Sequence, residues 1–321
     1  MPGFFLQCCK TRANFLIRNN VLAHLAMLTI AICFGGAFVS IKVVLREVPP
    51  ITLALLRFLI ATMILLTILK ILEPSSKLQK ADFPKIVLGG FLGITLFYFL
   101  ENIGIKLTTA TNASLLASTT PIFAIALDVI IFRTKISVIQ MIGIVCSTIG
   151  AYMAITANAQ LDFSSATFKG NLLVVGAMLS WALYILLNKS LQDKYSALFL
   201  STYQMLFGTL ILALMSFCEY DQWRMFSLNA FGNILFLAVF PSAICYFLYS
   251  YALKRLDVTI TTLYSNLVPV VGVLGGWCIL NEIILPIQVF GGVIIILGIT
   301  IASWKKMEAN KKGACEKKSV S

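Results

Sequence analysis

Charge is scarce in this chain of 321 residues: Asp, Glu, Lys and Arg together make up 12% of it, against roughly 25% in ordinary soluble domains. Histidine is scarcer still, with His24 alone, and that one sits at the edge of an apolar stretch as an interfacial residue. Neither a Walker-type Gly-x4-Gly-Lys nor a dinucleotide fingerprint following a strand is present, which argues against direct use of ATP and against cofactor chemistry. The eight cysteines are scattered singly, apart from the neighbours Cys8 and Cys9, so neither a disulfide framework nor a metal cluster follows. No hydrophobic signal region precedes Cys8. The first apolar run is too long for a removed signal peptide and lacks a clear cleavage site, so it is expected to stay.

What fills the chain instead is apolar: 59% of the residues, where a soluble domain has roughly 45–50%. A bilayer core about 30 Å thick asks for around 20 mostly apolar residues per helix. Windows of that length recur at 23–43, 52–72, 86–105, 110–132, 138–156, 171–188, 197–217, 230–253, 259–280 and 287–304. They predict an all-α polytopic membrane protein with ten transmembrane helices. The breaks between them are short, and Pro49-Pro50, Pro84 and Pro286 fall just before helix starts, where a missing N–H costs nothing. The net charge of +12 is distributed by loop and not gathered into a soluble nucleic-acid groove. Placing the N-terminus in the cytoplasm puts most Lys and Arg inside and leaves Arg46, Lys106, Lys169 and Arg224 outside, which orients both termini inward. The lysine-rich tail 305–321 reads as a solvated anchor near anionic lipid.

The chain also repeats itself. Tyr98 to Leu100 recurs as Tyr246 to Leu248, and at a shift of 148 residues Lys106 meets Lys254, Thr111 meets Thr259, Pro121 meets Pro269, Gln140 meets Gln288, Gly143 meets Gly291 and Gly150 meets Gly298. At a shift of 147, Phe34 and Lys42 meet Trp181 and Lys189. The domain plan is a tail 1–22, a first repeat 23–156, a connecting loop 157–170, a second repeat 171–304 and the tail 305–321. An odd number of spans per repeat turns the second copy upside down, so the two five-helix repeats are inverted, a pattern of secondary transporters.

Pro121 and Pro269 fall near mid-span in the equivalent fourth and ninth helices. Each removes a backbone donor at a depth where lipid supplies no replacement. Beside them, Ser118-Thr119-Thr120 and Tyr264-Ser265-Asn266 offer polar groups that either heal a kink or line a cavity. The third helix carries Tyr98, Glu101 and Asn102 on one face, matched in the eighth by Tyr246, Tyr249 and Ser250. An intramembrane acid is a functional candidate; Glu101 is a candidate proton carrier, with headgroup water or pairing to Lys106 as the structural alternative. Arg57, whose repeat partner is Gln204, is read either as a carboxylate ligand or as a bond to an adjacent helix end. Asp128 and Glu282 read as helix-end caps. Phe34, Phe38, Trp181 and Tyr184 form aromatic stripes suited to cavity walls or packing, while Gly89, Gly93, Gly272 and Gly276 read as scaffold that lets helices approach closely.

The aromatic-to-Lys stretches Phe34 to Lys42 and Trp181 to Lys189, the mid-span prolines, and Glu282 followed by Gln288 and Gly291 resemble the EamA family of the drug/metabolite transporter superfamily over nearly the whole chain. The first repeat departs at Arg133-Thr134-Lys135, where an acid is expected. The resemblance implies transport of a small organic solute by alternating access, most often export of amino acids or related metabolites across the bacterial cytoplasmic membrane. Uptake or exchange of a nucleotide-like or cofactor-like metabolite, with aromatics stacking its ring, is the alternative. A membrane-embedded enzyme or scaffold is a third class, disfavoured by the lack of converging acids, bases and ligands. The expected partners are a substrate, lipid and candidate protons; no cofactor, metal or nucleic acid is expected.

Overall fold

Helix starts in this chain are written by prolines and by small hydroxylated residues. The structure, a computed structural model, describes residues 2–132, 137–156, 165–191, 194–246, 248, 252, 267–298 and 300–301, and all regular structure among them is helical. In chain order the elements are α1 (Pro2–Val44), α2 (Pro50–Leu72), α3 (Lys80–Leu107), α4 (Ala110–Ala117), α5 (Thr120–Phe132), α6 (Val138–Thr156), α7 (Ala166–Lys189), α8 (Ala197–Ser216), α9 (Leu228–Ile244), α10 (Leu267–Leu280) and α11 (Pro286–Gly298). Pro50 opens α2. The side chains of Thr109, Ser165, Ser196 and Ser227 accept from the backbone N–H three residues on, capping α4, α7, α8 and α9.

Among the described residues, five helices are long and apolar enough to cross a membrane: Leu22–Val44, Pro50–Leu72, Lys80–Leu107, Ala166–Asn188 and Ala197–Gln222. Their outward faces carry large apolar side chains such as Leu210, Leu214, Met63 and Leu59, an aggregation hazard in water but a proper surface in lipid. Helix α1 starts at Pro2, well before the predicted span. Between Gly3 and the predicted span, residues 4–22 hold neither Pro nor Gly to stop it, so the helix of 43 residues is about 65 Å long at 1.5 Å per residue and outreaches the bilayer core.

Helices α2 and α8, at the repeat shift of 147, pack side by side in opposite directions. Glu219, just past α8, accepts from the first N–H groups of α2, Ile51 at 3.1 Å and Thr52 at 2.8 Å, and from Thr52 Oγ1 at 2.8 Å. At the other end Glu73, just past α2, accepts from the Ser196 hydroxyl that caps α8 at 2.6 Å. Midway, Thr62 and Thr209, equivalent at that shift, share a hydrogen bond of 3.1 Å. Helices α6 and α11 cross with the same reciprocity. A Cβ on Gly150 would meet the Gly291 carbonyl, and one on Gly298 would meet the Gly143 carbonyl. Ser147 Oγ donates to the Ile295 carbonyl at 3.3 Å, a partner 148 residues away.

Helix α3 is wound wide at Phe91–Leu96 and α9 at Ala238–Ile244, two π-helical segments at corresponding places. Such segments are rare and concentrate at functional sites. Pro241 explains the second: its missing N–H orphans the Leu237 carbonyl, and the Ser242 hydroxyl donates to that carbonyl at 2.9 Å.

Candidate functional site

The Ser242 hydroxyl has one proton. With that proton given to Leu237, its oxygen accepts, and the donor is Arg57 Nε on α2 at 2.7 Å. Pro241 thus holds Arg57 through a relay of two hydrogen bonds, N–H to hydroxyl to carbonyl. The guanidinium also lies 4.7 Å from the centroid of the Tyr98 ring and 5.1 Å from that of Phe58, where a cation is attracted to the ring faces. Its Nη2 reaches Tyr98 Oη only at 3.5 Å, the limit of a hydrogen bond. Arg57 is 3% exposed, and a guanidinium does not shed its charge in a protein.

Glu101, one turn past Tyr98 on α3, is 5% exposed and within the electrostatic reach of Arg57. No ion pair with Lys106 forms among the described residues. The ammonium that does work at this end of α3 belongs to Lys42, which donates to the carbonyls of Ile105 at 2.7 Å, Lys106 at 3.2 Å and Thr108, closing the C-terminus of the helix. Asn102 is committed on one side: its amide donates to the Pro50 carbonyl at 2.9 Å, binding α3 to the start of α2, while Oδ1 is buried without a partner. Tyr246 comes close to its counterpart Tyr98 and to Tyr184 and Arg57, so the polar cluster draws on α2, α3, α7 and α9, two helices from each half.

Aromatic rings continue from this cluster. Phe58 to Tyr98 measures 4.5 Å between centroids, Tyr98 to Phe97 4.7 Å, Phe97 to Trp181 5.0 Å and Trp181 to Tyr184 4.9 Å. The wall passes from α2 through α3 to α7. A Cβ on Gly93 would strike the Tyr184 ring, so the glycine sets how near that ring stands to α3. Phe38 is packed in the core, and Phe34 packs against it while half-buried, so these two are wall and not part of the polar cluster.

The fourth span is broken at Ser118-Thr119, with Pro121 in the first turn of α5. The break is stitched by hydroxyls: Thr119 donates to the Leu116 carbonyl at 2.7 Å and Thr120 to that of Ala117 at 3.0 Å. Ser118 Oγ is left buried without a partner. Pro269 is buried at the start of α10. Tyr249, Ser250, Tyr264, Ser265 and Asn266 lie outside the described residues, as do the side chains of Pro121, Asp128 and Lys189. Glu282 caps the opposite half: it accepts from Ala110 N at 2.8 Å, Thr111 N at 2.9 Å and Thr111 Oγ1 at 2.7 Å, the same three-point grip that Glu219 has on α2. Among the described residues no three His, Cys, Asp or Glu side chains gather as a metal site. Ser242 and Pro241 are the site residues that sequence reasoning passed over, although a proline in the eighth span was visible.

The model of the EamA-like transporter family matches residues 21–156 and again residues 168–304. The chain belongs to that family. This EamA-like transporter is a multi-pass membrane protein with one family unit in each half. It is 28% identical over 98% of its length to the uncharacterized transporter YetK of Bacillus subtilis (strain 168), covering 97% of that protein. It is also 28% identical to an uncharacterized transporter of Archaeoglobus fulgidus, over 89% of this chain and 99% of the relative. A probable terminal-alkyne amino-acid exporter of Streptantibioticus cattleyicolor is 24% identical, over 90% of this chain and 96% of its own. A solved crystal structure shares the fold with a TM-score of 0.64 at 16% identity, over 89% of this chain and 98% of that one.

Proposed function

We propose that this EamA-like transporter is a secondary carrier that exports amino acids or related small metabolites across the bacterial cytoplasmic membrane by alternating access. In this reading ten spans form two inverted five-helix halves, with both termini in the cytoplasm. The observation that carries it is the cluster of the buried Arg57, Tyr98 and Glu101 with the partly buried Tyr246. Charges placed within a membrane-spanning bundle are costly and mark substrate or ion pathways, and this cluster is assembled from both halves. The antiparallel fit of α2 on α8, with Thr62 bonded to Thr209, 147 residues on, and a glutamate gripping the start of the opposite helix at each end, supports the inverted arrangement. The name of the Streptantibioticus relative supports amino-acid export. The run of rings from Phe58 to Tyr184 is what favours the second reading, a carrier for a nucleotide-like metabolite whose base stacks on aromatics.

The test is reconstitution of the full chain in vesicles, with labelled amino acids and nucleosides offered in both directions, with and without a proton gradient. Amino-acid flux with no competition by purines is expected; purine competition moves the assignment to the second reading. Absence of flux for every solute refutes the carrier. Proton coupling through Glu101 predicts a flux that depends on external pH in the wild type and not in Glu101→Gln.

A further inference from the structure

Arg57 and Glu101 are two opposite charges in the interior of a membrane-spanning bundle, and neither is neutralised by contact. Arg57 is fixed by its Nε and by the rings on which it stacks, which leaves the outer fork of the guanidinium, the part that matches a carboxylate, with no acceptor among the described residues nearer than Tyr98 Oη at the 3.5 Å limit. Glu101 accepts no hydrogen bond among the described residues, and no ion pair within 4.0 Å joins it to Arg57, although Arg57 acts on it electrostatically. A purely structural salt bridge in such surroundings closes to contact and satisfies its remaining lone pairs, because an open pair keeps most of the desolvation cost and forfeits the attraction. A proton carrier alone needs the acid but gives no reason for an arginine locked beside it.

The geometry points to a receptor for a zwitterion. Resting on the carrier reading above, it assigns the ligand's carboxylate to the Arg57 fork and its ammonium to Glu101. The formal charges of Arg57 and Glu101 cancel, and those of a zwitterion cancel too, so binding and crossing leave no unpaired charge in a medium of low dielectric. A net anion or a net cation leaves one of the two protein charges unmatched. Tyr98 and Phe58 hold the arginine in place and close off its faces, so selection falls on the charge pattern of the ligand's head and leaves its side chain to the aromatic wall.

The assay is equilibrium binding and vesicle flux with the purified full chain, using L-leucine, its carboxylate-only analogue 4-methylpentanoate and its amine-only analogue isoamylamine. The wild type is expected to prefer leucine over either analogue at least tenfold. Glu101→Gln loses leucine at least tenfold and gains 4-methylpentanoate over isoamylamine; Arg57→Gln loses leucine and gains the opposite preference. Arg57→Lys and Glu101→Asp, with elution profiles and melting curves, separate these effects from misfolding, since a damaged scaffold does not switch preference with the sign of the removed charge. Both neutral variants weakening the two analogues alike, or a wild type that carries 4-methylpentanoate or isoamylamine better than leucine, overturns the inference while leaving the carrier standing. A protein that moves no solute of any class overturns both.

Discussion

The sharpest structural prediction concerns Glu219 and Glu73, carboxylates just past the ends of α8 and α2 that hold opposite ends of the pair unequally. Glu219 takes three hydrogen bonds from the start of α2, two of them from backbone N–H groups with no partner inside the helix. Hydrogen bonds to a charged group contribute about 1.5–3 kcal/mol each, and the terms do not add fully. Glu219→Ala, which removes the acceptor of all three bonds at a residue that is 8% exposed, is expected to cost about 3–5 kcal/mol. Glu219→Gln keeps one carbonyl oxygen but turns an NH2 toward a donor, at about 1.5–3 kcal/mol. Glu73 accepts one hydroxyl in a half-exposed setting, and Glu73→Gln keeps an acceptor for it, so its cost stays below about 1 kcal/mol. At about 2 °C per kcal/mol for a chain of this size, Glu219→Gln lowers the melting temperature by about 3–6 °C and Glu73→Gln by at most about 2 °C. The melts are read in detergent by tryptophan emission, since Trp223 Nε1 donates to Thr52 Oγ1 at 2.9 Å and reports on this corner. Equal shifts for the two glutamines, or none for Glu219→Gln, refute the claim that the three-point grip stabilises the start of α2.

Three further outcomes follow from single contacts. Gly90→Val drives a side chain into the backbone of Gln204 and Gly208, an overpacking cost of about 1–3 kcal/mol visible as lost melting temperature, whereas Gly232→Ala on α9 meets nothing within 4 Å and is neutral or stabilising by up to about 1 kcal/mol. Ser242→Ala removes the hydroxyl between Arg57 and Leu237, so substrate KM rises at least tenfold while Ser242→Thr, which restores the hydroxyl, recovers most of it. Glu47, in the loop between α1 and α2, has its carboxyl held below the usual range, first by the Ser227 N–H it accepts and then by the Ser227 hydroxyl. A depressed folded value means that the contribution is present above the ordinary carboxylate range and lost as pH falls through the folded value. Melting temperature from pH 6 to pH 3 therefore falls more in the wild type than in Glu47→Gln.

The all-helical fold and the family were legible because both rest on local signals: apolar runs of span length, prolines at helix starts, and identities such as Pro121 with Pro269 that recur at one shift. The site was legible only in part, and the reason is distance along the chain. Tyr98, Glu101 and Asn102 share one helix, so spacing placed them on one face. The partner of Arg57 lies 185 residues away, and no periodicity connects a residue of α2 to a hydroxyl on α9. The same holds for Glu282, which reads as an ordinary helix-end cap, and for Glu219, which carries no sequence signal at all; both grip helices of the other half. What sequence symmetry shows least is where the halves have stopped being alike. Arg57 and Gln204 are equivalent by repeat, but Gln204 donates to the side-chain Oδ1 of Asn188 at 2.7 Å while Arg57 turns to Ser242, and Thr95, in the place of Ser242, donates to the Gly208 carbonyl instead. A charge present in one half and absent from the other makes the bundle polar at its centre, and under the proposed carrier function that broken likeness between the halves is what would recognise an asymmetric solute.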